Sequence, residues 1–168
     1  MSAKLFKTIA ALTPVSIRQI AARWYPLRPR SLSPYVTDLR RHTIQEYVRL
    51  ETYWLSEPIG PGPAASFYIF DDEVLRFDCF GGTKGHFHIN RKQARAFPGS
   101  GDSPLYFPPG TTTGHIDQAC FELYVNLPYC LRTNASRRIR NMRIQKDRLK
   151  EAAEIMKAEM LVLAERKG

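Results

Sequence analysis

The chain has 168 residues, of which 43% are hydrophobic, and a net charge of +9 at neutral pH. This length suits one domain with appended helices, and no apolar run approaches the roughly 18 residues of a membrane span, so we expect no transmembrane segment. Cys79, Cys120 and Cys130 are an odd set without CxxC spacing, which excludes a disulfide framework and a zinc knuckle. Such cysteines fit a reducing compartment, either the cytoplasm or, for a eukaryotic source, the mitochondrial matrix.

The positive charge is concentrated at the two ends of the chain. Residues 1–37 carry six Lys or Arg and no acidic residue, and residues 132–168 carry eleven basic and five acidic residues. Residues 38–131 are mildly acidic, with eight basic and eleven acidic residues. Basic ends are typical of proteins that bind a polyanion, although a solvated helix face has the same composition.

Residues 1–45 are predicted to form a basic helical N-terminal segment. Thr13 and Ser33 each precede a proline, the pattern of a helix N-cap followed by the first helical position. The two predicted helices indicate a helix-turn-helix. The absence of acidic residues from residues 1–37 also suits a mitochondrial presequence that is cleaved somewhere after Tyr25.

From about Glu46 the hydrophobic period changes to two, which predicts β-strands. The predicted strands are "EYVRLETYWL", "SFYIF", "VLRFDCF", "GHFHIN" and the short "LYFPPG", with "SEPIGPGPAA" as a loop and "DDE" as a hairpin turn. A helix with Thr113 as its N-cap follows and is expected to end at Pro128. Residues 46–131 therefore predict an α+β core, an antiparallel meander of three to five strands with one packed helix after it.

Residues 132–168 are predicted to form a long, basic, amphipathic C-terminal helix that begins near Ala135. Its apolar residues recur every seven positions from Met142 to Leu163, the spacing of a coiled coil. Because the repeat covers only about three heptads, packing on its own domain or on a partner is favoured over a dimeric coiled coil. Basic side chains in its first half suit contacts with nucleic-acid phosphates, the alternative being a solvated face. They are Arg137, Arg138, Arg140, Arg143, Lys146 and Arg148.

The candidate site lies in "LRFDCFGGTKGHFHIN". Residues two apart on a strand point to the same face, so His86 and His88 are expected to project together. This arrangement suits a general acid and base, two metal ligands, or two exposed neighbours. Lys84 adds a cation that can hold a phosphate, and Asp78 on the preceding strand can orient an imidazole.

A third histidine leaves a metal site open as an alternative. His115 follows "FPPGTTTG" near the start of the predicted helix, where free backbone N–H groups also favour an anion. Together with His86 and His88 it would give three nitrogen ligands for zinc or iron. No acidic residue follows the pair in "HINRKQARA", and our main expectation is a site without a cofactor.

Histidines beside Lys and Arg are the groups that metal-independent RNA cleavage requires. One group takes the 2′-OH proton, another gives a proton to the leaving 5′ oxygen, and a cation steadies the charge on phosphorus.

The stretches "VLRFDCF", "GTKGHFHIN", "PLYFPPG" and "GHIDQACFELYVNL" resemble the hairpin, histidine strand and following helix of the TumE-type toxins of bacterial toxin–antitoxin pairs, which are related to RelE-like ribonucleases. The likeness covers about residues 66–127. This chain departs from the family pattern at Cys79, where the family has asparagine, in an irregular insert after the histidine strand, and in its long extensions at both ends. The resemblance implies a ribonuclease site made of Asp78, Lys84, His86 and His88, and an antitoxin as partner.

Three functional hypotheses follow. The first is an RNA-directed α+β protein, an endoribonuclease with His86 and His88 as acid and base, whose C-terminal helix contacts an antitoxin or another protein. The second is a non-enzymatic nucleic-acid-binding or assembly protein that uses its basic ends. The third is a metal site made of the three histidines.

Overall fold

The structure is a computed structural model that describes residues 33–91 and 104–167. An antiparallel sheet and helices make up these residues, which confirms the α+β class. The strands are β1 (Val36–Gln45), β2 (Val48–Glu57), β3 (Gly60–Ile69), β4 (Asp72–Asp78), β5 (His86–Ile89) and β6 (Leu105–Tyr106), and they pair in chain order. The helices are α1 (Thr112–Thr133), α2 (Arg137–Arg140) and α3 (Lys146–Lys167). In the described residues no helix is long and apolar enough to cross a membrane.

The helices cover one face of the sheet. Alternate residues of the strands point to that face, and their apolar side chains pack with those of α1 and α3 in one hydrophobic core. The core includes Leu50, Phe67, Phe77 and Phe87 from the sheet, Ile116 and Leu123 from α1, and Met156 and Met160 from α3. Because the strand residues in between point to the opposite face, the sheet separates an apolar layer from the side that carries the polar residues.

The apolar side of the C-terminal helix packs on its own domain. Met156 and Leu163 are buried, and Met142 and Leu149 are half-buried against the same core. The apolar side of α3 is therefore occupied, and a protein partner that binds this helix would contact its exposed side.

The long helix begins at Lys146, later than the predicted start near Ala135. The side chain of Gln45 donates to the carbonyl of Arg143 at 2.9 Å and accepts from the backbone N–H of Gln145 at 3.3 Å. These bonds from β1 satisfy backbone groups in the break between α2 and α3. In a continuous helix the same groups would be satisfied by hydrogen bonds within the helix.

The predicted helix after Ser33 is wrong, because this stretch is strand β1. Pro34 lies in a turn, in which the carbonyl of Ser33 accepts from the backbone N–H of Val36 at 3.1 Å. The strand pairs with β2 along most of its length, and its β-branched residues suit a pleated surface better than a helix. The helix-turn-helix hypothesis fails with this element. The other predicted helix and the presequence lie in residues 1–32, outside the described residues.

The sheet has six strands, more than the three to five that we predicted. β1 accounts for one of them, and most of the predicted loop "SEPIGPGPAA" belongs to β2 and β3, which a two-residue turn joins. The prolines in β3 have no backbone N–H to donate to a neighbouring strand. They are tolerated because they precede Ala64, the first β3 residue that pairs with β4.

Helix α1 begins two residues earlier and ends later than predicted. Thr111, rather than Thr113, is the N-cap, and its hydroxyl accepts from the backbone N–H of Gly114 at 3.0 Å. Pro128 lies inside the helix with its ring exposed, and the helix continues because Cys130 beyond it is buried in the core. Burial of the last turn thus outweighs the hydrogen bond that the proline removes.

Candidate active site

Strands β4 and β5 bring the predicted residues to one place. In their antiparallel register Asp78 lies opposite His86, and Arg76 lies opposite His88. The period of two directs these four side chains to the face away from the helices, whereas Phe77 points into the core. The polar group therefore follows directly from the register of one hairpin.

Asp78 is the centre of the cluster. Its Oδ2 atom lies 2.6 Å from Nη2 of Arg76, 3.2 Å from Nε2 of His86 and 3.6 Å from Nε2 of His88. The two imidazole rings meet edge to face with centroids 4.9 Å apart. All four side chains are at most 5% exposed, so these contacts act in a low-dielectric environment.

Asp78 is ionised at neutral pH. Burial alone would raise its pKa, but the Arg76 guanidinium and the hydrogen bond from His86 outweigh that effect and hold the pKa well below 3.8. Its second oxygen, Oδ1, is buried and accepts no hydrogen bond from the described residues. The carboxylate thus keeps an oxygen that can accept one more proton donor.

The two histidines have opposite hydrogen-bonding partners. Nδ1 of His86 lies 2.8 Å from the carbonyl oxygen of Lys84, which can only accept, and Nε2 of His86 faces the Asp78 carboxylate. Each nitrogen of this ring therefore faces a group that accepts a hydrogen bond. Nε2 of His88 instead lies 2.6 Å from the Arg76 guanidinium, which can only donate, so this nitrogen carries a lone pair.

Lys84 joins the cluster through its backbone. Its carbonyl orients His86, while its side chain is exposed and passes close to Gly60, where an added Cβ would lie 3.3 Å from Cδ of the lysine. No described carboxylate forms an ion pair with its ammonium group.

His115 is not part of this cluster. Its Nδ1 accepts from the backbone N–H of Gly81 at 3.1 Å, and its Nε2 donates to the carbonyl of Pro108 at 3.0 Å. A Cβ on Gly85 would lie 2.0 Å from this ring, so the glycine is needed for the close approach. Both ring nitrogens serve backbone groups, and the structure does not assemble the predicted three-histidine metal site.

A different set of donors has the spacing of a metal site. One ligand atom each from Asp78, His86 and His88 lie within 4.8 Å of one another. Arg76, however, lies 2.6 Å from two of these atoms, Oδ2 of Asp78 and Nε2 of His88. A cation could bind there only if the guanidinium moved away, so the geometry favours proton transfer over metal binding.

Sequence reasoning missed Arg76. The strand period that placed Asp78 on the site face also places Arg76 there, two residues earlier in "VLRFD", and would have been sufficient to find it. It also missed a neighbouring buried chain in which the Tyr53 hydroxyl, the Ser66 hydroxyl and the Glu73 carboxylate are linked at 2.8 and 2.7 Å. These partners come from three strands, and no local pattern joins them.

The six predicted phosphate-binding residues divide into two groups. Arg140 donates to the carbonyls of Asn134 and Ala135 at the end of α1, and Arg148 pairs with Glu151 at 2.9 Å. The other four have exposed side chains and no carboxylate partner among the described residues. They are Arg137, Arg138, Arg143 and Lys146.

Comparisons with protein-family models, curated proteins and solved structures found no match for the chain. The resemblance to TumE-type toxins thus remains a prediction from the sequence.

Proposed function

We propose that the protein is an RNA-directed endoribonuclease that works without a metal ion. The observation that supports this proposal is the opposite hydrogen bonding of the histidine pair. His86 faces two acceptors, the carbonyl of Lys84 and the carboxylate of Asp78, whereas Nε2 of His88 faces the Arg76 donor. Two titratable groups in opposed environments are suited to act as acid and base in one reaction.

The chemistry is an internal transesterification of an RNA phosphodiester by the neighbouring 2′-hydroxyl. The 2′ oxygen attacks phosphorus while the bond to the 5′ oxygen breaks, which leaves a 2′,3′-cyclic phosphate and a free 5′-hydroxyl. His88 takes the 2′-OH proton, and His86 gives a proton to the leaving oxygen. Arg76 and Lys84 stabilise the negative charge at phosphorus, and Asp78 orients His86 and stabilises its protonated form.

Access to the pair requires local movement, because both rings are at most 5% exposed. The ring of Tyr106 on β6 packs against His86 with centroids 5.6 Å apart. β6 is joined to the sheet by only two residue pairs, fewer than any other strand. Such a short edge strand opens at low free energy, and its displacement would expose His86 beside the already exposed Lys84.

The test is RNA cleavage by the purified protein in EDTA. The wild type is compared with the double variant His86→Gln/His88→Gln and with a control, His42→Gln, which changes a strand histidine that binds Glu159 outside the site. We expect wild type and control to cleave and to leave cyclic phosphate ends, and the double variant to lose at least about 100-fold in rate. Cleavage that EDTA abolishes, or that the double variant retains, would contradict the proposal. Circular dichroism checks that the variants are folded.

Non-enzymatic RNA binding is the second candidate. The burial of both histidines favours it, and so do the four exposed cations on and after α2, which pair with no carboxylate of the described residues. RNA binding that falls steeply with salt, with no cleavage in the same assay, would establish this alternative.

A further inference from the structure

We propose that a second site, separate from the histidine cluster, binds one nucleotide of a single-stranded RNA. It is an open pocket of about 460 Å³ between the β1–β2 turn, the β3–β4 turn and α2. This volume suits a small ligand. Tyr47, Phe70, Gln45, Arg49 and Arg138 supply most of its lining, and Asp71 also lines it.

An aromatic residue in each of the two turns has a strained backbone conformation. Tyr47 has a φ of 63° and Phe70 a φ of 55°, a left-handed conformation that normally selects glycine, asparagine or aspartate. Each turn instead carries a bulky aromatic residue there. Their rings lie 4.9 Å apart at 34°, and 56% of Tyr47 is exposed. A strained conformation at two adjacent turns points to a role for the rings beyond folding.

Arg138 is the cation beside these rings, and its N–H groups are available to hydrogen-bond a ligand. The Arg138 guanidinium lies 3.6 Å from the centre of the Phe70 ring and 5.7 Å from that of Tyr47. No hydrogen bond or ion pair joins it to any residue of the described chain. Arg49, by contrast, is held by the carbonyl of Phe70 at 2.6 Å and by the carboxylates of Glu51 and Asp71.

This combination matches a nucleotide. An exposed aromatic ring stacks a base of any sequence, and a guanidinium with free donors binds the attached phosphate. The base would stack on Tyr47, because Arg138 already covers a face of Phe70. Asp71 in the lining disfavours a ligand that offers only negative charge, which is why we assign a nucleotide rather than an acidic peptide.

The pocket and the histidine cluster are distinct. Phe70, just beyond the end of β3, lies four residues from Ser66, which pairs with Arg76, so roughly 13 Å of strand separates the sites. The assignment therefore does not depend on cleavage, and binding can be measured with RNA that cannot be cleaved.

The test is fluorescence anisotropy with a labelled ten-nucleotide RNA of mixed sequence in which every 2′-hydroxyl is methylated, which removes the nucleophile. Tyr47→Gly is paired with Phe121→Ala, because Phe121 on α1 is equally exposed at 58%. Arg138→Gln is paired with Arg132→Gln, an exposed arginine in the last turn of α1 for which no ring contact is seen among the described residues. Thermal unfolding is measured on all four variants.

We expect Tyr47→Gly to weaken binding about tenfold and to leave the unfolding midpoint unchanged or higher, because glycine relieves the strained φ. Arg138→Gln should lower the slope of log affinity against log salt by about 0.7. Both controls should bind within twofold of wild type. Uridine monophosphate that competes with the RNA would place a free nucleotide in the same pocket. Failure to compete, with both pocket variants weakened, would mean that the pocket takes the nucleotide only within a strand.

Three results would overturn the proposal. The first is binding by Tyr47→Gly that equals that of Phe121→Ala. The second is an equal loss in Arg132→Gln and Arg138→Gln, which would show diffuse charge rather than a pocket. The third is displacement of the RNA by a polyglutamate peptide of equal charge.

Discussion

The two faces of the sheet are built from the same strands by different forces. On the helix-covered face Phe67, Phe77 and Phe87 pack with other apolar side chains, and such contacts have no required direction. On the opposite face buried polar groups are held by directional contacts with particular partners, as Asp78 is held by Arg76 at 2.6 Å. Phe77 and Asp78 are adjacent in the chain and point to opposite faces of the sheet.

The comparison shows how one strand carries both a core and a candidate site. Apolar packing tolerates changes of shape that conserve volume, whereas a buried charge that loses its partner is left without compensation. The two faces should therefore respond very differently to substitutions of equal size.

The largest difference is expected between Asp78→Asn and Leu75→Met. The first change keeps the shape but leaves the buried Arg76 guanidinium without its carboxylate, and we expect it to lower the free energy of unfolding by about 3–5 kcal/mol. The second conserves volume on the apolar face and should cost less than about 1.5 kcal/mol. Urea unfolding measures both, and similar losses would show that the polar face is not held by charge.

Acid should affect both faces through one carboxylate on each. On the helix side, Glu159 binds Thr52, His42 and Arg40, and these hydrogen bonds outweigh burial and lower its pKa below 4.5. Because Glu159 and Asp78 have folded-state pKa values below the ordinary 4.5 and 3.8, each stabilises the fold at higher pH, and this contribution is lost as the pH falls below those values.

Urea midpoints between pH 7 and pH 2.5 test this expectation. Glu159→Gln should be less stable than wild type at pH 7, and the gap should narrow as the pH falls below 4.5. The gap for Asp78→Asn should start to close only below 3.8, because its pKa is lowered further. A constant gap over the whole range would exclude these carboxylates as the source of acid sensitivity.

A smaller loss is expected from Ser66→Ala on the polar face. The hydroxyl links Tyr53 to Glu73, and its removal takes one hydrogen bond from each of these buried groups, at about 1–3 kcal/mol. Ser56→Ala is the matched control, since Ser56 is exposed near the end of β2 and should change stability by less than about 0.5 kcal/mol. Equal effects would mean that the buried hydroxyl is not needed.

The smallest effect is expected outside both faces. Arg148→Ala removes the exposed pair with Glu151 on α3 and should change the free energy of unfolding by at most about 0.5 kcal/mol. A larger loss would show that the helix surface, which the two-face description treats as passive, contributes to stability.

Much of the α+β core was predictable because its signals are local. The period of two gave the strands from "EYVRLETYWL" to "GHFHIN" and placed His86 and His88 on one face. The period of seven placed Met156 and Leu163 on the buried side of the last helix. In both cases the spacing of side chains along one element decides which way they point.

The errors occurred where a partner distant in sequence decides the conformation. Pro34 fits a helix start as well as a turn, and pairing with β2 makes β1 a strand. Pro128 would normally end a helix, but burial of the following turn keeps it helical. The break before α3 is held by the Gln45 side chain, about 100 residues away.

The candidate site divides in the same way. The sequence by itself determined that His86 and His88 share a sheet face, because alternation is a property of each strand. Only the tertiary structure decided the register that sets Asp78 opposite His86 and Arg76 opposite His88. It also directed the ring of His115 to the backbone of Gly81 and Pro108. Register and close approach depend on contacts among several elements at once, and local spacing along one element does not encode them.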